Sequence, residues 1–353
     1  MKRVGILGLP QSGKTTLFEI LLQGAGSAGR AGPGREAVGV VNVPDPRVDR
    51  LAAHYQPRKT TYAQIQFAES GGARGTRAEE ARAAGAGPAK GPDLFSAVRN
   101  CDALLAVARD FTGAGAADPA GDLATIETEL VFNDLAILES RIEKLERELR
   151  VGKKDGEREH VLLERCKGIL ERGVPLRGER FDAEEAKRLR GFQLLSLKPL
   201  LAVYNQDEGS TRVPAPVGER ALAVALRAHL EREIVALPAG DRERFRAELG
   251  AGEDGLTVVI RACYELLGLI SFFTVGPDEV RAWTLARGET AVDAAGEIHS
   301  ELAKGFIRAE VVPWERLLEA GSIPKAREKA WARLEGREYA VQDGDCVEIR
   351  FNK

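Results

Sequence analysis

The stretch Val4-Gly5-Ile6-Leu7-Gly8-Leu9-Pro10-Gln11-Ser12-Gly13-Lys14-Thr15 decides how the rest of the chain is read. An apolar run leads into the full G-x-x-x-x-G-K-[ST] spacing, and a helical stretch beginning Thr16-Leu17-Phe18-Glu19-Ile20 follows it. In that pattern Gly8 and Gly13 let successive backbone N–H groups turn inward toward phosphate oxygens. Lys14 reaches the β- and γ-phosphates, and the Thr15 hydroxyl can ligate Mg²⁺. The N-terminus of the following helix favours the same anion. The candidate nucleotide site therefore comprises Gly8, Leu9, Pro10, Gln11, Ser12, Gly13, Lys14, Thr15 and Thr16, with Lys14 the catalytic candidate.

The remainder of the chain is large enough to surround such a loop with two or three domains: it has 353 residues. Lys plus Arg total 51 against 54 Asp plus Glu, a formal net charge of -3, so any RNA-binding surface must come from local clustering. The four cysteines, Cys101, Cys166, Cys263 and Cys346, are widely spaced, which argues against a zinc knuckle or a disulfide framework and suits a reducing cytosol. A chain that opens on a core strand leaves no room for a signal peptide. Its apolar runs fall short of the roughly 20 residues that span a bilayer. A cytoplasmic protein is the expectation.

Apolar, strand-like runs recur at residues 3–7, 38–43, 64–68, 103–108, 200–204 and 222–226. Several are nearly continuous, as strands buried on both faces of a mainly parallel sheet require, so the fold expected is α/β, a doubly wound P-loop domain. Between the fourth and fifth runs Val131, Leu135, Leu138, Ile142, Leu145 and Leu149 recur at 4-3-4-3-4 spacing, and Leu162, Cys166 and Ile169 follow at 4-3. This predicts an inserted helical coiled-coil hairpin with a tip at Gly152-Lys153-Lys154-Asp155-Gly156. From about residue 271, short strands at 272–275, 280–284, 306–312, 339–341 and 347–351 surround one helix at 291–303, an α+β module of β-grasp type. The division expected is 1–121 with 196–270 for the nucleotide domain, 122–195 for the hairpin and 271–353 for the last module. Residues 24–34 and 71–92, rich in Gly and Ala, are where switch loops belong.

The metal side of a P-loop site usually has an acid at the end of a neighbouring strand. Glu69 closes the run Ile65-Gln66-Phe67-Ala68 and is the candidate, with the Gly72 backbone N–H facing the γ-phosphate. Thr15 and Glu69 are thus the metal candidates, the extra methylene of Glu lengthening the contact relative to Asp. Base recognition is expected from Asn205-Gln206-Asp207-Glu208, in particular Asn205, Gln206 and Glu208. Guanine-specific relatives of this architecture carry N-K-x-D. Gln206 and Glu208 depart from it, and adenine becomes the favoured base.

Five stretches carry a family resemblance: residues 8–15; Val43-Pro44-Asp45-Pro46-Arg47-Val48-Asp49-Arg50-Leu51; residues 205–208; Glu279-Val280-Arg281-Ala282-Trp283-Thr284; and Ile298-His299-Ser300-Glu301 with residues 304–310. On these the chain resembles the Obg-like ATPases of the YchF type, over nearly its whole length. The resemblance implies a C-terminal TGS-like module and an ATP-preferring nucleotidase with residual GTP binding. It also implies Mg²⁺ as cofactor and a monomer associating with the ribosome, through rRNA and protein of the large subunit. Neither a membrane nor DNA is an expected partner. Two departures stand out: residues 31–37 lack the family's switch threonine, and Glu69-Ser70-Gly71-Gly72 replaces its Asp-x-x-Gly. The alternative these departures raise is a nucleotide-binding scaffold of the same family with little turnover. A metabolic kinase fits less well, since a β-grasp tail and a coiled-coil arm supply no acceptor pocket.

Overall fold

The computed structural model describes residues 1–24, 37–69, 95–113, 115–151, 156–249 and 252–352. Seven strands come from the first two-thirds of the chain: β1 (Arg3–Gly8), β2 (Ala37–Asn42), β3 (Lys59–Thr61), β4 (Gln64–Glu69), β5 (Ala103–Asp110), β6 (Leu200–Gln206) and β7 (Ala221–Leu226). Six of them form one sheet in the order β2-β4-β1-β5-β6-β7. Every neighbouring pair is parallel except β2 with β4, so the sheet is mainly parallel with an antiparallel edge. Alternate residues of β5 serve opposite faces, as a period of two demands. Leu105 and Val107 pack with Leu17, Ile20, Val259 and Cys263, whereas Leu104 and Ala106 pack with Val98, Leu123, Ile126 and Leu130. Helices α1 (Lys14–Gly24) and α2 (Pro46–Tyr55) follow β1 and β2, and a short α3 (Ser96–Arg99) precedes β5. Because the chain moves to one side of β1 for β4 and to the other for β5, the carboxyl ends of these strands flank a crevice, and the P-loop sits there.

Helix α4 (Pro119–Arg150) has 32 residues and is about 48 Å long. Asp118 caps it by accepting from Gly121 N at 3.0 Å, and Pro119 occupies the first turn, where no N–H is needed. Its first half covers the sheet. Its second half leaves the domain and pairs with α5 (Glu157–Leu170), burying Val131, Leu138, Ile142 and Leu145 against Leu162, Cys166 and Ile169. The heptad positions Val131 to Leu145 thus form the seam, Leu135 partly buried among them, whereas Leu149, expected to continue it, is half-buried outside this cluster. Residues 152–155 of the expected tip lie outside the described residues.

Two buried polar groups tie the arm to the sheet. The Arg177 side chain, 2% exposed, donates to Glu127 Oε1 at 2.5 Å and to the Lys198 carbonyl at 2.9 Å. Asp134, fully buried on α4, accepts from the backbone N–H groups of Leu195 (2.8 Å) and Ser196 (2.7 Å), just before β6. Burial pushes the Glu127 carboxyl up, while Arg177 opposes the shift.

The second sheet runs β11-β10-β12-β8-β9-β3, using β8 (Leu269–Val275), β9 (Glu279–Ala286), β10 (Phe306–Pro313), β11 (Arg333–Glu335) and β12 (Asp345–Phe351). It is mixed, with β12 parallel to β8 and β3 parallel to β9. Residues 59–61, placed by the sequence in the nucleotide segment, therefore complete the C-terminal sheet, and Thr61 Oγ1 donates to Glu279 Oε1 at 2.5 Å. One hydrophobic core runs through both sheets, joining Val48 and Leu51 to Phe273, Val280 and Leu317.

The sequence reading of this module needs three corrections. The single helix expected at 291–303 breaks into Ala291–Ile298 and Ser300–Lys304 at His299, which is extended (φ -166, ψ 138) and caps the second piece by accepting from Glu301 N through Nδ1. Two further helices, Trp314–Ala320 and Ile323–Glu328, follow β10. Residues 339–341 form only an isolated bridge, Thr290 to Ala340, rather than a strand.

Removing one partner of a buried pair leaves an uncompensated charge. Arg177→Ala is expected to lower the free energy of unfolding by about 3–5 kcal/mol in urea titration, whereas the double replacement Arg177→Met with Glu127→Leu retains most of it.

Candidate functional site

The loop between β1 and α1 is held by close approach. A side-chain carbon at Gly8 would lie 2.4 Å from Ser12 Oγ and 3.0 Å from the Val107 carbonyl. Gly13 adopts φ +92, and a carbon there would meet Asn205 Nδ2 at 2.3 Å, so space dictates both glycines of the motif and conformation dictates Gly13 as well. Within the loop Ser12 N donates to the Leu9 carbonyl at 3.2 Å, and the Gly13 carbonyl accepts from Leu17 N at 2.9 Å to begin α1. Pro10 and Gln11 are exposed, Leu9 and Thr16 are half-buried, and Ser12 is buried. The Ser12 hydroxyl has no hydrogen-bond partner among the described residues although it is sealed from solvent. Lys14, half-buried at the helix N-terminus, has no hydrogen-bond or ion-pair partner among the described residues.

Glu69 reaches this loop directly. It is the last residue of β4, beside Ile6 of β1, and its Oε1 accepts from Thr15 Oγ1 at 2.5 Å. The carboxylate is 8% exposed and Thr15 is exposed, so the pair sits at the boundary between sheet and solvent. A hydroxyl and a carboxylate side by side are the oxygen donors a hard cation takes, with the lysine ammonium nearby on the same loop. Gly72, the other group expected on this side, lies outside the described residues.

The expected base-recognition residues separate into three environments. Asn205, 6% exposed, donates through Nδ2 to the Ser12 carbonyl (3.0 Å) and accepts at Oδ1 from Ala228 N (3.1 Å). It therefore links the P-loop to the helix Ala228–Ala236. Gln206, also 6% exposed, donates to Asp110 Oδ2 (2.9 Å) and to the Arg212 carbonyl (2.8 Å). Glu208 is exposed. The structure thus brings Lys14, Thr15, Glu69 and Asn205 around one loop, and sets Gln206 into a neighbouring polar cluster.

That cluster was not foreseen. Asp110 bridges Gln206 and Arg212, whose Nε lies 3.1 Å from Asp110 Oδ1. Asp207 accepts from Thr112 N (2.7 Å) and Thr112 Oγ1 (2.8 Å). The backbone N–H of Thr112 and then its hydroxyl hold the Asp207 carboxyl below its usual range. The parallel register that sets Asp110 beside Gln206 was the available signal, since both residues end their strands.

The Val43–Leu51 stretch has a structural explanation as well. Asp45 caps α2 by accepting from Arg47 N at 2.9 Å, and the Arg47 guanidinium bonds Asp45 and also Asp343 (2.9 and 3.1 Å) of the last module. Asp343 in turn accepts from Ser271 N on β8 at 2.9 Å.

Comparison with known proteins places this arrangement. The chain is 37% identical to the ribosome-binding ATPase YchF of Bacillus subtilis, covering 99% of this chain and 98% of that protein. It is 35% identical to the protein of the same name from Escherichia coli O157:H7, with 99% of each covered. The chain belongs to the YchF family. A family model for the YchF GTPase C-terminal domain, described as a protein of unknown function (DUF933), matches residues 269–352. The solved structure of the Schizosaccharomyces pombe YchF GTPase superposes with a TM-score of 0.79 at 24% identity, over 99% of this chain and 97% of that one, so the YchF fold is shared. Among the described residues no helix is long and apolar enough to cross a membrane.

The Asn205 contacts generate a direct test. Asn205→Ala strands the Ser12 carbonyl and the Ala228 amide, and it should cost about 2 kcal/mol of stability in denaturant titration. Exposed Glu208→Ala should change stability by less than about 0.5 kcal/mol.

Proposed function

We propose that this YchF-family chain is a slow Mg²⁺-dependent ATPase that prefers ATP to GTP and works as a monomeric, translation-associated switch on the ribosome in the cytoplasm. The observation that carries the enzymatic part is the Thr15–Glu69 contact beside an unpartnered Lys14 on one P-loop. The residues fit the cofactor. Buried Ser12 Oγ lacks a hydrogen-bond partner among the described residues, and a side chain at Gly8 would collide with that hydroxyl at the base of the loop. Thr15 and Glu69 would hold Mg²⁺, which when bound neutralises charge on the phosphate oxygens. Lys14 and the backbone N–H groups of the 8–16 loop, apart from Pro10, which has none, and Ser12, whose N–H is given to Leu9, bind and orient the phosphates and stabilise charge that develops in transfer. The Gly72 N–H is assigned to the same phosphate.

Asn205 acts on the base side as a positioning residue, since its amide is spent on Ser12 and Ala228. Gln206 aligns the adjoining loop through Asp110. Glu208, exposed at the end of that loop, is left to accept from an exocyclic amine of the base. The nucleotide domain spans 1–121 and 196–270 in this reading. The ribosome, with rRNA and protein of the large subunit as the surfaces met, is assigned to the hairpin (122–195) and the C-terminal module (271–353). Two curated relatives that align end to end with this chain carry the name ribosome-binding ATPase, which supports both parts.

Phosphate release from Mg-ATP tests the site. Lys14→Ala should lower kcat/KM by about 100-fold, the scale of losing one preorganised charge-stabilising donor. Thr15→Ala and Glu69→Gln should each raise the Mg²⁺ concentration needed for half-maximal rate. Release that is indifferent to Lys14→Ala would sink the enzymatic reading, and a strong preference for GTP in competition binding would sink the adenine assignment. The ribosomal part predicts that the full chain co-sediments with ribosomes in ATP. Failure to pellet at low salt counts against it.

A further inference from the structure

The helical arm carries a second convergence of ligating groups, far in sequence from the P-loop. Glu146 lies one turn before the end of α4, while His160 and Glu164 stand four residues apart on α5, on one face. One oxygen of each carboxylate and a histidine nitrogen all lie within 4.8 Å of one another. His160 Nε2 is 3.9 Å from Glu146 Oε1 and 4.0 Å from Glu164 Oε1, too far for a hydrogen bond to either. That nitrogen is nonetheless buried and has no hydrogen-bond partner among the described residues, an uncommon state for a polar atom. Arg150 approaches the other Glu146 oxygen at 3.5 Å, so Oε1 remains turned to the imidazole.

A His–Glu pair four apart on a helix is ordinary surface. Here the third group comes from the facing helix, and the nitrogen between the two acids is sealed from water. Two carboxylate oxygens and an imidazole nitrogen converging on one point are a donor set that a divalent cation takes. Bond lengths of about 2.0–2.2 Å to nitrogen and oxygen put tetrahedral ligand atoms about 3.4 Å apart, so the imidazole nitrogen and each carboxylate, now 3.9 and 4.0 Å apart, close by roughly half an ångström, and rotation of the partly exposed glutamate side chains brings in the two carboxylate oxygens, which lie within 4.8 Å of each other. The imidazole selects a first-row transition metal over Mg²⁺ or Ca²⁺.

We propose that Glu146, His160 and Glu164 form a divalent transition-metal site, with Zn²⁺ as occupant, that clips α4 to α5 beside the tip of the arm. Three protein ligands leave the fourth position to water. Occupancy joins the last turn of α4 to the first turns of α5 and stiffens that end of the helix pair.

The test uses the full-length, metal-free protein at neutral pH with Mg²⁺ in large excess, so that hard-cation sites elsewhere are filled. Zn²⁺ titrated by calorimetry should bind with about one equivalent per chain and raise Tm. His160→Gln and Glu164→Gln should each weaken that binding at least about tenfold, no less than the loss of an outer-shell partner does, and abolish the Tm rise. Their metal-free Tm values, matching the parent, show that the arm still folds. Co²⁺ in place of Zn²⁺ should give a visible d–d band that disappears in His160→Gln. Absence of Zn²⁺ binding, or binding and a Tm rise that persist in His160→Gln, overturns the proposal.

Discussion

The hydrogen bond from Asn205 Nδ2 to the Ser12 carbonyl fixes the geometry on which the nucleotide site depends. It runs beneath Gly13, whose missing side chain leaves the space that the amide fills. The same side chain accepts from the first N–H of the helix Ala228–Ala236, so one residue at the end of β6 positions two others at once. Each bond contributes only about 1 kcal/mol net, but leaving a buried carbonyl or amide unpaired costs more, and this asymmetry holds the P-loop in one conformation. With the loop fixed, Thr15 presents its hydroxyl to Glu69 across the β1–β4 pair.

A second constraint makes the C-terminal module part of the same body. Helix α2 follows the edge strand β2, and its Arg47 is bonded both to its own cap, Asp45, and to Asp343 beside β8. His54 Nε2 contacts the Gly321 carbonyl at 2.8 Å, and Arg50 stacks on the Trp314 ring at 4.8 Å. The chain then gives β3 to the C-terminal sheet before returning as β4 to the first. A displacement of β2 or β4 is therefore carried to β9 and Asp343 through covalent and packed connections rather than through a flexible tether. The arm is fastened separately, through Asp134, Glu127 and Arg177, to the segment that enters β6. Both peripheral elements thus attach at the entry to strands, β4 and β6, whose other ends carry Glu69 and Asn205.

What could be read from the sequence, and what could not, follows the range of each interaction. The P-loop, the buried strands and the heptad seam are local patterns, and their residues lie where the periodicity puts them: Leu104 to Val107 alternate between two faces, and Leu138, Ile142 and Leu145 share one seam. Strand β3 is Lys-Thr-Thr, with no apolar period; it is a strand because β9 lies beside it. The helix Ile323–Glu328 did carry a local signal, Ser322 as cap with Pro324 in the first turn, accepting from Lys325 N. His299 broke a helix that propensity alone would have continued, because its ring supplies the cap of the next turn. The partners of Asn205 and Gln206 depend on the register of β6 against β5 and on the loop beyond β1, and no spacing within residues 205–208 encodes them. The two segments in which the family's switch residues would fall, 25–36 and 70–94, lie outside the described residues.

Glu in place of Asp at position 69 is best understood from the position of its backbone. Glu69 is the terminal residue of β4, level with Ile6, two residues short of the end of β1. From there a carboxylate must extend past the P-loop's first turn to meet Thr15, and the longer side chain makes the contact at 2.5 Å without a bridging water. The departure from Asp therefore lengthens the side chain while keeping the oxygen beside the threonine hydroxyl. A cation entering between them displaces one hydrogen bond, worth about 1 kcal/mol net, and gains two oxygen ligands in its place. The substitution is thus compatible with metal binding. Residues 31–37 and 69–72 contain neither a glutamine nor a histidine, the side chains that orient an attacking water in other P-loop enzymes.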